Sequence, residues 1–208
     1  MAAPNDKEIV LITGANTGLG LEIARKRFRF GRFHVFIRAR TPLQRRSRID
    51  IISTSSLTSA ADTISQNFGR LDILHCNAGI APEAQTPAGG ATPISELIKL
   101  ACDTNVAGSA QTAETFIPLL QKAENPKTVF MSTGLGSLTR QATFNNKNWP
   151  AYAATALNDF GKGGHIVPGK TEDGANNAVR LSLLTKDGES GTHMEMDDNT
   201  GEVRIVPW

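Results

Sequence analysis

The chain has 208 residues and a mass of 22.3 kDa, the size of one domain. Its apolar share of 39%, with 19 glycines, excludes a disordered or collagen-like protein, and a formal net charge of +2 does not favour a nucleic-acid partner. No apolar run approaches the roughly 18 residues of a membrane span, and the amino terminus lacks a signal-peptide core. Cys76 and Cys102 have no metal-ligand spacing, so we expect free thiols in a reducing, cytoplasmic compartment.

The first elements in chain order are a strand, a glycine-rich turn and a helix. Glu8–Thr13 (EIVLIT) is a short run of β-branched and apolar residues, typical of a strand buried on both faces. The stretch Gly14–Gly20 follows, and apolar residues then recur at helical spacing in LEIARKRFRF. His34–Ile37 predicts a second strand. This order indicates the beginning of an α/β sheet.

The next segment predicts a third strand and a helix, with an unusually short connection before them. Ile49–Ile52 has the composition of a strand, and residues 56–68 have a helical pattern for which Ser55 is the candidate N-cap. Only the seven residues Thr41–Ser47 stand between Arg40 and Arg48. A parallel crossover needs about ten to twelve residues. The usual helix is therefore missing here, or the third strand is not parallel to the second.

The second half continues to alternate strands with helices. The predicted elements are a strand in LDILHCNAG (71–79), a mostly helical stretch Ile94–Lys122, a strand at 128–132, helices at Ala151–Phe160 and Glu172–Thr185, and a hairpin of Thr192–Met196 with Glu202–Val206. Residues 161–171 contain no full strand. The pattern predicts a single α/β domain over residues 1–208, with a doubly wound, mainly parallel sheet and helices on both faces. The helix between strands 2 and 3 and the region after residue 155 are shortened in this prediction.

The glycines between the first strand and its helix are spaced for binding a dinucleotide. Gly14 permits a tight turn, Gly18 lets the backbone approach a pyrophosphate, and Gly20 allows close packing of helix on strand. The amino terminus of the helix then offers N–H groups to an anion. The other candidate contacts in this loop are Asn16, Thr17 and Leu19. A glycine-rich turn without a ligand is the alternative.

Further motifs carry a resemblance that covers about residues 8–160. In chain order they are the TGxxxGxG loop, Asp50, the turn Asn77-Ala78-Gly79, Asn105 in DTNVAG, Thr133 in MSTGLGS and Tyr152 in AYAAT. In this order they resemble the short-chain dehydrogenase/reductase family, and the tail with GESGT and VPW is similar to fungal members. The resemblance implies a Rossmann-like fold and hydride transfer between a nicotinamide cofactor and a carbonyl or secondary alcohol of a small molecule.

The resemblance also implies a role for each matching residue. Tyr152 would donate a proton to the forming alkoxide, Thr133 would polarise the carbonyl in place of the family's serine, and Asn105 would support a water leading to a lysine. Asp50 would contact the adenine, and the turn Asn77–Gly79 would line the cofactor. The histidines are too scattered to predict a metal site. The resemblance leaves the oligomeric state open, with a homo-oligomer as one option.

The end of the second strand indicates which cofactor is used. An acidic residue there binds the ribose 2′-hydroxyl of NAD, whereas arginine accommodates the 2′-phosphate of NADP. This chain has Arg38-Ala39-Arg40 and no acid nearby. Because guanidinium groups donate charge-assisted hydrogen bonds to phosphate, we expect NADP(H), with Arg40 as the contact. A solvated surface arginine is the alternative.

The lysine that the family places four residues after its tyrosine is absent. Position 156 is Ala156, and YAAT runs directly into ALNDF, so the sequence predicts an internal deletion between Thr155 and Ala156. Without that cation, the tyrosine is expected to keep a pKa nearer its ordinary value of about 10. Two alternatives to an oxidoreductase therefore stay open. One is a catalytically impaired nucleotide-binding protein, and the other is a repurposed isomerase or cyclase.

Overall fold

The computed structural model describes residues 7–29, 33–38, 49–82, 92–132, 171–185, 194–196 and 202–205. The strands in these ranges are β1 (Glu8–Thr13), β2 (Phe33–Arg38), β3 (Ile73–Cys76), β4 (Lys127–Phe130), β5 (Met194–Met196) and β6 (Val203–Ile205). The helices are α1 (Gly18–Arg29), α2 (Thr54–Phe68), α3 (Ile94–Ala101), α4 (Ser109–Leu120) and α5 (Thr171–Leu181). A π-helical segment, Cys102–Gly108, joins α3 to α4 without a break.

Within the described residues, the main sheet has four strands in the order β2-β1-β3-β4, and each pairing among them is parallel. Thr13 pairs with Arg38, so β1 and β2 end at the same level. Strands β5 and β6 form a separate antiparallel pair. The predicted α/β fold with a mainly parallel sheet is confirmed, and so is the carboxyl-terminal hairpin. Because parallel strands have their carboxyl ends at one edge, the loops that follow β1 and β3 meet there.

The two faces of the sheet carry separate cores, because side chains alternate along each strand. Ile9 and Leu11 pack beneath α2 and α4, whereas Val10 and Ile12 pack beneath α1 and α5. All four side chains are almost fully buried. Burying an aliphatic side chain of this size stabilises the fold by roughly 1.5–3 kcal/mol. The continuous apolar run of β1 therefore positions the glycine-rich loop that follows it.

The predicted third strand is wrong. Ile49 and Asp50 are irregular, and the chain then turns at Ile51 and Ile52. The Asp50 side chain accepts a hydrogen bond from the Ile52 N–H (3.3 Å), and the Ser53 N–H donates to the Asp50 carbonyl (3.1 Å), which closes the turn. Ile49 and Ile51 are both buried in the core beneath α2 and α4. Their apolar character therefore reflects anchoring of a turn and not strand pairing.

Helix α2 begins two residues earlier than the sequence pattern predicted. Its N-cap is Ser53 and not Ser55, because the Ser53 hydroxyl accepts a hydrogen bond from the Ser56 N–H. The helix buries Leu57, Ala60 and Ile64 on one face. It ends at Phe68, and its C-cap is Gly69, whose φ of 74° is left-handed. Strand β4 likewise begins and ends slightly before the predicted 128–132. The predictions for 41–47 and 151–160 lie outside the described residues.

Candidate functional site

The glycine loop, Thr13–Gly20, packs directly on the Asn-Ala-Gly turn, Asn77–Gly79. Gly14 has a left-handed φ of 65°, and a Cβ there would lie 2.8 Å from the Ala78 Cα. A Cβ on Gly20 would clash with the Asn77 amide nitrogen and lie 2.7 Å from the Gly14 carbonyl oxygen. Side chains at these two positions would push the loop and the turn apart. Both glycines are therefore required by close approach.

Thr13 and Asn77 join the carboxyl ends of β1 and β3 through hydrogen bonds. The Thr13 hydroxyl donates to the His75 carbonyl (3.2 Å) and accepts from the N–H groups of Asn77 and Ala78 (3.0 Å each). The Asn77 side chain donates to the Thr13 carbonyl (2.9 Å). These bonds hold the Asn-Ala-Gly turn at a set distance from the glycine loop. In this structure the Asn77 side chain is therefore hydrogen-bonded to the protein's own backbone.

Helix α1 begins at the open side of this junction. Asn16, Thr17 and Gly18 are exposed, and α1 starts at Gly18 with no acidic residue in its first turn. Backbone N–H groups in the first turn of a helix have no intrahelical partner, and the helix dipole favours an anion there. The loop therefore fits a phosphate-bearing ligand.

Asn105 lies in the π-helical segment and forms an amide clamp with Ile80. Its side-chain oxygen accepts from the Ile80 N–H (2.8 Å), and its side-chain nitrogen donates to the Ile80 carbonyl (2.9 Å). A Cβ on Gly79 would lie 3.2 Å from the same Asn105 oxygen. The clamp fixes the chain just after the Asn-Ala-Gly turn. Because both polar ends of the side chain bind Ile80, the predicted role for Asn105 in holding a water stays a prediction.

Two titratable groups lie beneath the site, on β3. Burial and the neighbouring charge of Arg27 lower the pKa of His75 to about 3, so the imidazole is neutral near pH 7. Its two ring nitrogens have no hydrogen-bond partner among the described residues. Burial raises the pKa of the Cys76 thiol to about 12, which removes it as a nucleophile. Cys76 and Cys102 are both free.

The structure brings most of the predicted site residues to one edge of the sheet. The glycine loop packs on the Asn-Ala-Gly turn, and Asn105 lies against the far end of that turn at Gly79 and Ile80. Asp50 lies in the neighbouring turn before α2, and Arg38 ends β2. Thr133, Tyr152 and Arg40 lie outside the described residues. The sequence analysis missed Ile80 and Gly108. The glycine could have been found from the sequence, because it follows Asn105 by three residues in DTNVAG.

Neither a metal centre nor a membrane helix is found in the described part of the chain. No group of three or more His, Cys, Asp or Glu side chains is placed to hold a metal ion among those residues. None of the helices described there is long and apolar enough to cross a membrane.

Comparisons with known proteins agree with this geometry. A short-chain dehydrogenase/reductase from Stachybotrys chlorohalonatus is 34% identical over 261 aligned positions, covering 97% of this chain and 94% of the relative. That alignment is longer than this chain, so the relative has internal residues without a counterpart here.

Two solved structures share the fold at lower identity. The menthone neomenthol reductase of Mentha piperita has a TM-score of 0.63 and 20% identity, covering 89% of this chain and 97% of that one. A metagenomic short-chain oxidoreductase in complex with NADP has a TM-score of 0.61 and 18% identity, covering 87% and 93%.

A family model gives the same assignment independently. The model of the short chain dehydrogenase family matches residues 8–161, which include the glycine loop, the Asn-Ala-Gly turn and Asn105. With this match, the parallel sheet and the contacts at its carboxyl edge, the chain belongs to the short-chain dehydrogenase/reductase family.

Proposed function

We propose that the protein is an NADP(H)-dependent oxidoreductase that acts on a carbonyl or secondary alcohol of a small molecule. The observation that carries the proposal is the glycine loop, closed against the Asn-Ala-Gly turn and open to solvent at the amino terminus of α1. Such a cradle accepts a pyrophosphate, because it combines close backbone approach with the positive end of a helix dipole. The family assignment supports a nicotinamide nucleotide as its ligand.

The residues that would hold this cofactor lie along one edge of the sheet. The glycine loop would bind the pyrophosphate through Asn16–Gly20, Asp50 would contact the adenine, and Asn77–Gly79 would line the path toward the nicotinamide. When bound, the nicotinamide would supply or accept a hydride. The hydrogen bonds between the Thr13 hydroxyl and the turn hold the turn in place through the protein's own groups.

The proposed preference for NADP(H) over NAD(H) rests on Arg38, the last residue of β2, and on Arg40, which follows it in the sequence. Arg38 is in register with Thr13, so the chain leaves β2 beside the glycine loop. Arg40, two residues further on, would bind the 2′-phosphate by charge-assisted hydrogen bonds. NADP bound to a relative of the same fold supports this proposal. Replacing Arg40 with alanine should weaken NADPH binding more than NADH binding.

The chemistry would be carried out by Tyr152 and Thr133. Tyr152 would donate the proton that the alkoxide needs, and the Thr133 hydroxyl would polarise the carbonyl before hydride arrives. General acid catalysis of this kind contributes roughly 10²–10⁴-fold to a rate. Ala156 cannot lower the tyrosine pKa as a lysine would, so we expect slow turnover. Restoring the charge with Ala156→Lys tests whether the missing lysine limits the rate.

The same Ala156 supports a second candidate function, a nucleotide-binding protein without turnover. The longer relative supports the view that this chain is internally shortened. A repurposed isomerase or cyclase would also use the pocket without net hydride transfer. The two free cysteines support a cytoplasmic location, and the family supports a homo-oligomer as one option for the assembly.

Binding and turnover together separate these candidates. NADPH and NADH are titrated against the purified protein by calorimetry, and NADPH oxidation is then followed with a panel of ketones and aldehydes. Tighter NADPH binding with turnover is the expected result. Firm NADPH binding without turnover would favour the non-catalytic protein or the repurposed enzyme. No binding of either nucleotide would overturn the cofactor proposal itself.

A further inference from the structure

Gly108 ends the π-helical segment in a conformation that does not need glycine. Its φ of −62° and ψ of −39° are ordinary helical angles, which any L-residue adopts. Alanine is a much better helix former than glycine at such a position. Backbone conformation therefore does not explain why a glycine stands here, and the neighbours of its missing side chain have to be considered.

The space beside Gly108 is taken by Ile51. A Cβ on Gly108 would lie 3.0 Å from the Ile51 Cδ1, 3.1 Å from its Cγ1 and 3.3 Å from its carbonyl oxygen. Ile51 has little freedom to retreat, since it is 4% exposed and belongs to the core beneath α2 and α4. Because one of these contacts is with backbone, added bulk at Gly108 would move the turn itself.

Asp50 belongs to this same turn. The turn is closed by the hydrogen bond from the Ser53 N–H to the Asp50 carbonyl and by the one from the Ile52 N–H to the Asp50 side chain. These bonds make residues 50–53 one compact unit. A displacement of Ile51 would therefore carry the Asp50 carboxylate with it.

The π-helical segment thus contacts two walls of the candidate site. Asn105 clamps Ile80 on one side, and Gly108, three residues later, receives Ile51 on the other. We propose that Gly108 is a positioning residue, which sets how far the Asp50 turn stands from the chain that follows the Asn-Ala-Gly turn. This inference rests on the proposed function, because it takes Asp50 to be the adenine contact. Glycine at 108 permits that spacing, and any side chain there widens it.

Gly108→Ala tests the inference with probes for the two ends of the cofactor. Adenosine 2′,5′-bisphosphate reports on the adenine end and reduced nicotinamide mononucleotide on the other, and both are titrated by calorimetry. We expect Gly108→Ala to weaken binding of the bisphosphate about ten-fold, as overpacking a full site does, with less than about a two-fold change for the mononucleotide. Ile51→Val removes the nearest contacting atom, Cδ1, so in the double variant we expect recovery of most of the loss.

The control is Ala107→Gly, an exposed neighbour in the same segment. It alters helix propensity without altering the contact with Ile51, and both affinities should stay within about two-fold of the wild type. Equal losses for the two probes in Gly108→Ala, or no recovery in the double variant, would overturn the inference. Unchanged affinities with a raised melting temperature would do the same, since Gly108 would then behave as an ordinary helical glycine.

Failure of the variant to fold and failure of the wild type to bind have different consequences. If Gly108→Ala gives no cooperative melt, the substitution is repeated in an Ile51→Ala background, where the added methyl has room. There it should leave bisphosphate affinity within about two-fold of Ile51→Ala alone, and a further ten-fold loss would contradict the inference. If the wild-type protein binds neither NADPH nor the bisphosphate, the proposed function fails and this inference fails with it.

Discussion

A side-chain hydrogen bond joins β1 to β3 at each end of the pair, but the two ends have different surroundings. At the amino end, the Asp72 carboxylate accepts from the Ile9 N–H (2.7 Å) and from the Arg70 guanidinium (3.0 Å). At the carboxyl end, the Asn77 amide donates to the Thr13 carbonyl (2.9 Å). Both are side-chain bonds to the neighbouring strand. Only the carboxyl end borders the glycine loop, so the position in the sheet, and not the type of bond, distinguishes the candidate binding site from a purely structural joint.

The largest expected effect comes from removing the side-chain hydrogen bonds at the amino end alone. Asp72→Ala leaves the Ile9 N–H without its side-chain acceptor and Arg70 without its carboxylate, so we expect a loss of about 3 kcal/mol in the free energy of unfolding. NADPH affinity should stay within about two-fold of the wild type. Urea denaturation and calorimetry measure the two quantities. Asp62→Ala, on the exposed face of α2, is the control and should change neither. A large loss of affinity in Asp72→Ala would erase the contrast between the two ends.

A clash at the carboxyl end should lower NADPH affinity while the fold is kept. Gly20→Ala would force the Asn77 amide and the Gly14 carbonyl away from the start of α1 and so distort the glycine loop. We expect NADPH affinity to fall about 100-fold, which corresponds to about 2.7 kcal/mol. Calorimetric titration measures the change, and circular dichroism checks that the fold is kept. Binding within two-fold of the wild type would show that the loop does not hold the nucleotide.

Removal of one hydroxyl tests the carboxyl end more gently. Thr13→Val keeps the shape of the side chain but removes the acceptor of the Asn77 and Ala78 N–H groups. We expect a loss of about 2 kcal/mol in stability together with several-fold weaker NADPH binding, because the turn is no longer held. Thr13→Ser retains the hydroxyl and should resemble the wild type in both measurements. If valine and serine behave alike, the hydroxyl does not join the two strands.

The smallest expected effect at neutral pH is on stability, and it comes from His75, which lies in β3 between the two ends. His75→Leu replaces two ring nitrogens that have no hydrogen-bond partner in the described part of the chain by apolar atoms, so we expect a gain of about 1 kcal/mol in stability at pH 7. The folded-state pKa of about 3 lies below the ordinary value of 6.5, so the unfolded chain takes up a proton first as the pH falls. Wild-type stability should therefore fall between pH 6 and pH 4, by up to about 1.4 kcal/mol per unit from this group.

His75→Leu should flatten that part of the pH profile. Denaturation at a series of pH values gives both slopes, and equal slopes would mean that His75 is not buried neutral in the folded protein. Asp72→Ala, which leaves the imidazole in place, should keep the wild-type slope between pH 6 and pH 4.

The sequence pattern was sufficient for the glycine loop, because strand, turn and helix follow one another within Glu8–Arg29 and local spacing determines each of them. It failed at Ile49–Ile52, since buried isoleucines look alike whether they pair in a strand or anchor a turn. The Asn105–Ile80 clamp and the Gly108–Ile51 contact join residues 25 and 57 positions apart. No local periodicity reports such contacts, and only the packing of the π-helical segment reveals them.

The amide clamp has a consequence for how this protein can change over time. Asn105, like Thr13 and Asn77, directs its polar groups to neighbouring backbone, so the frame of the candidate site does not depend on the groups proposed to react there. A substitution among the groups proposed to react would then change the proposed chemistry while the frame remains folded. The frame and the proposed chemistry can therefore change independently in evolution. One can be lost or exchanged while the other is kept.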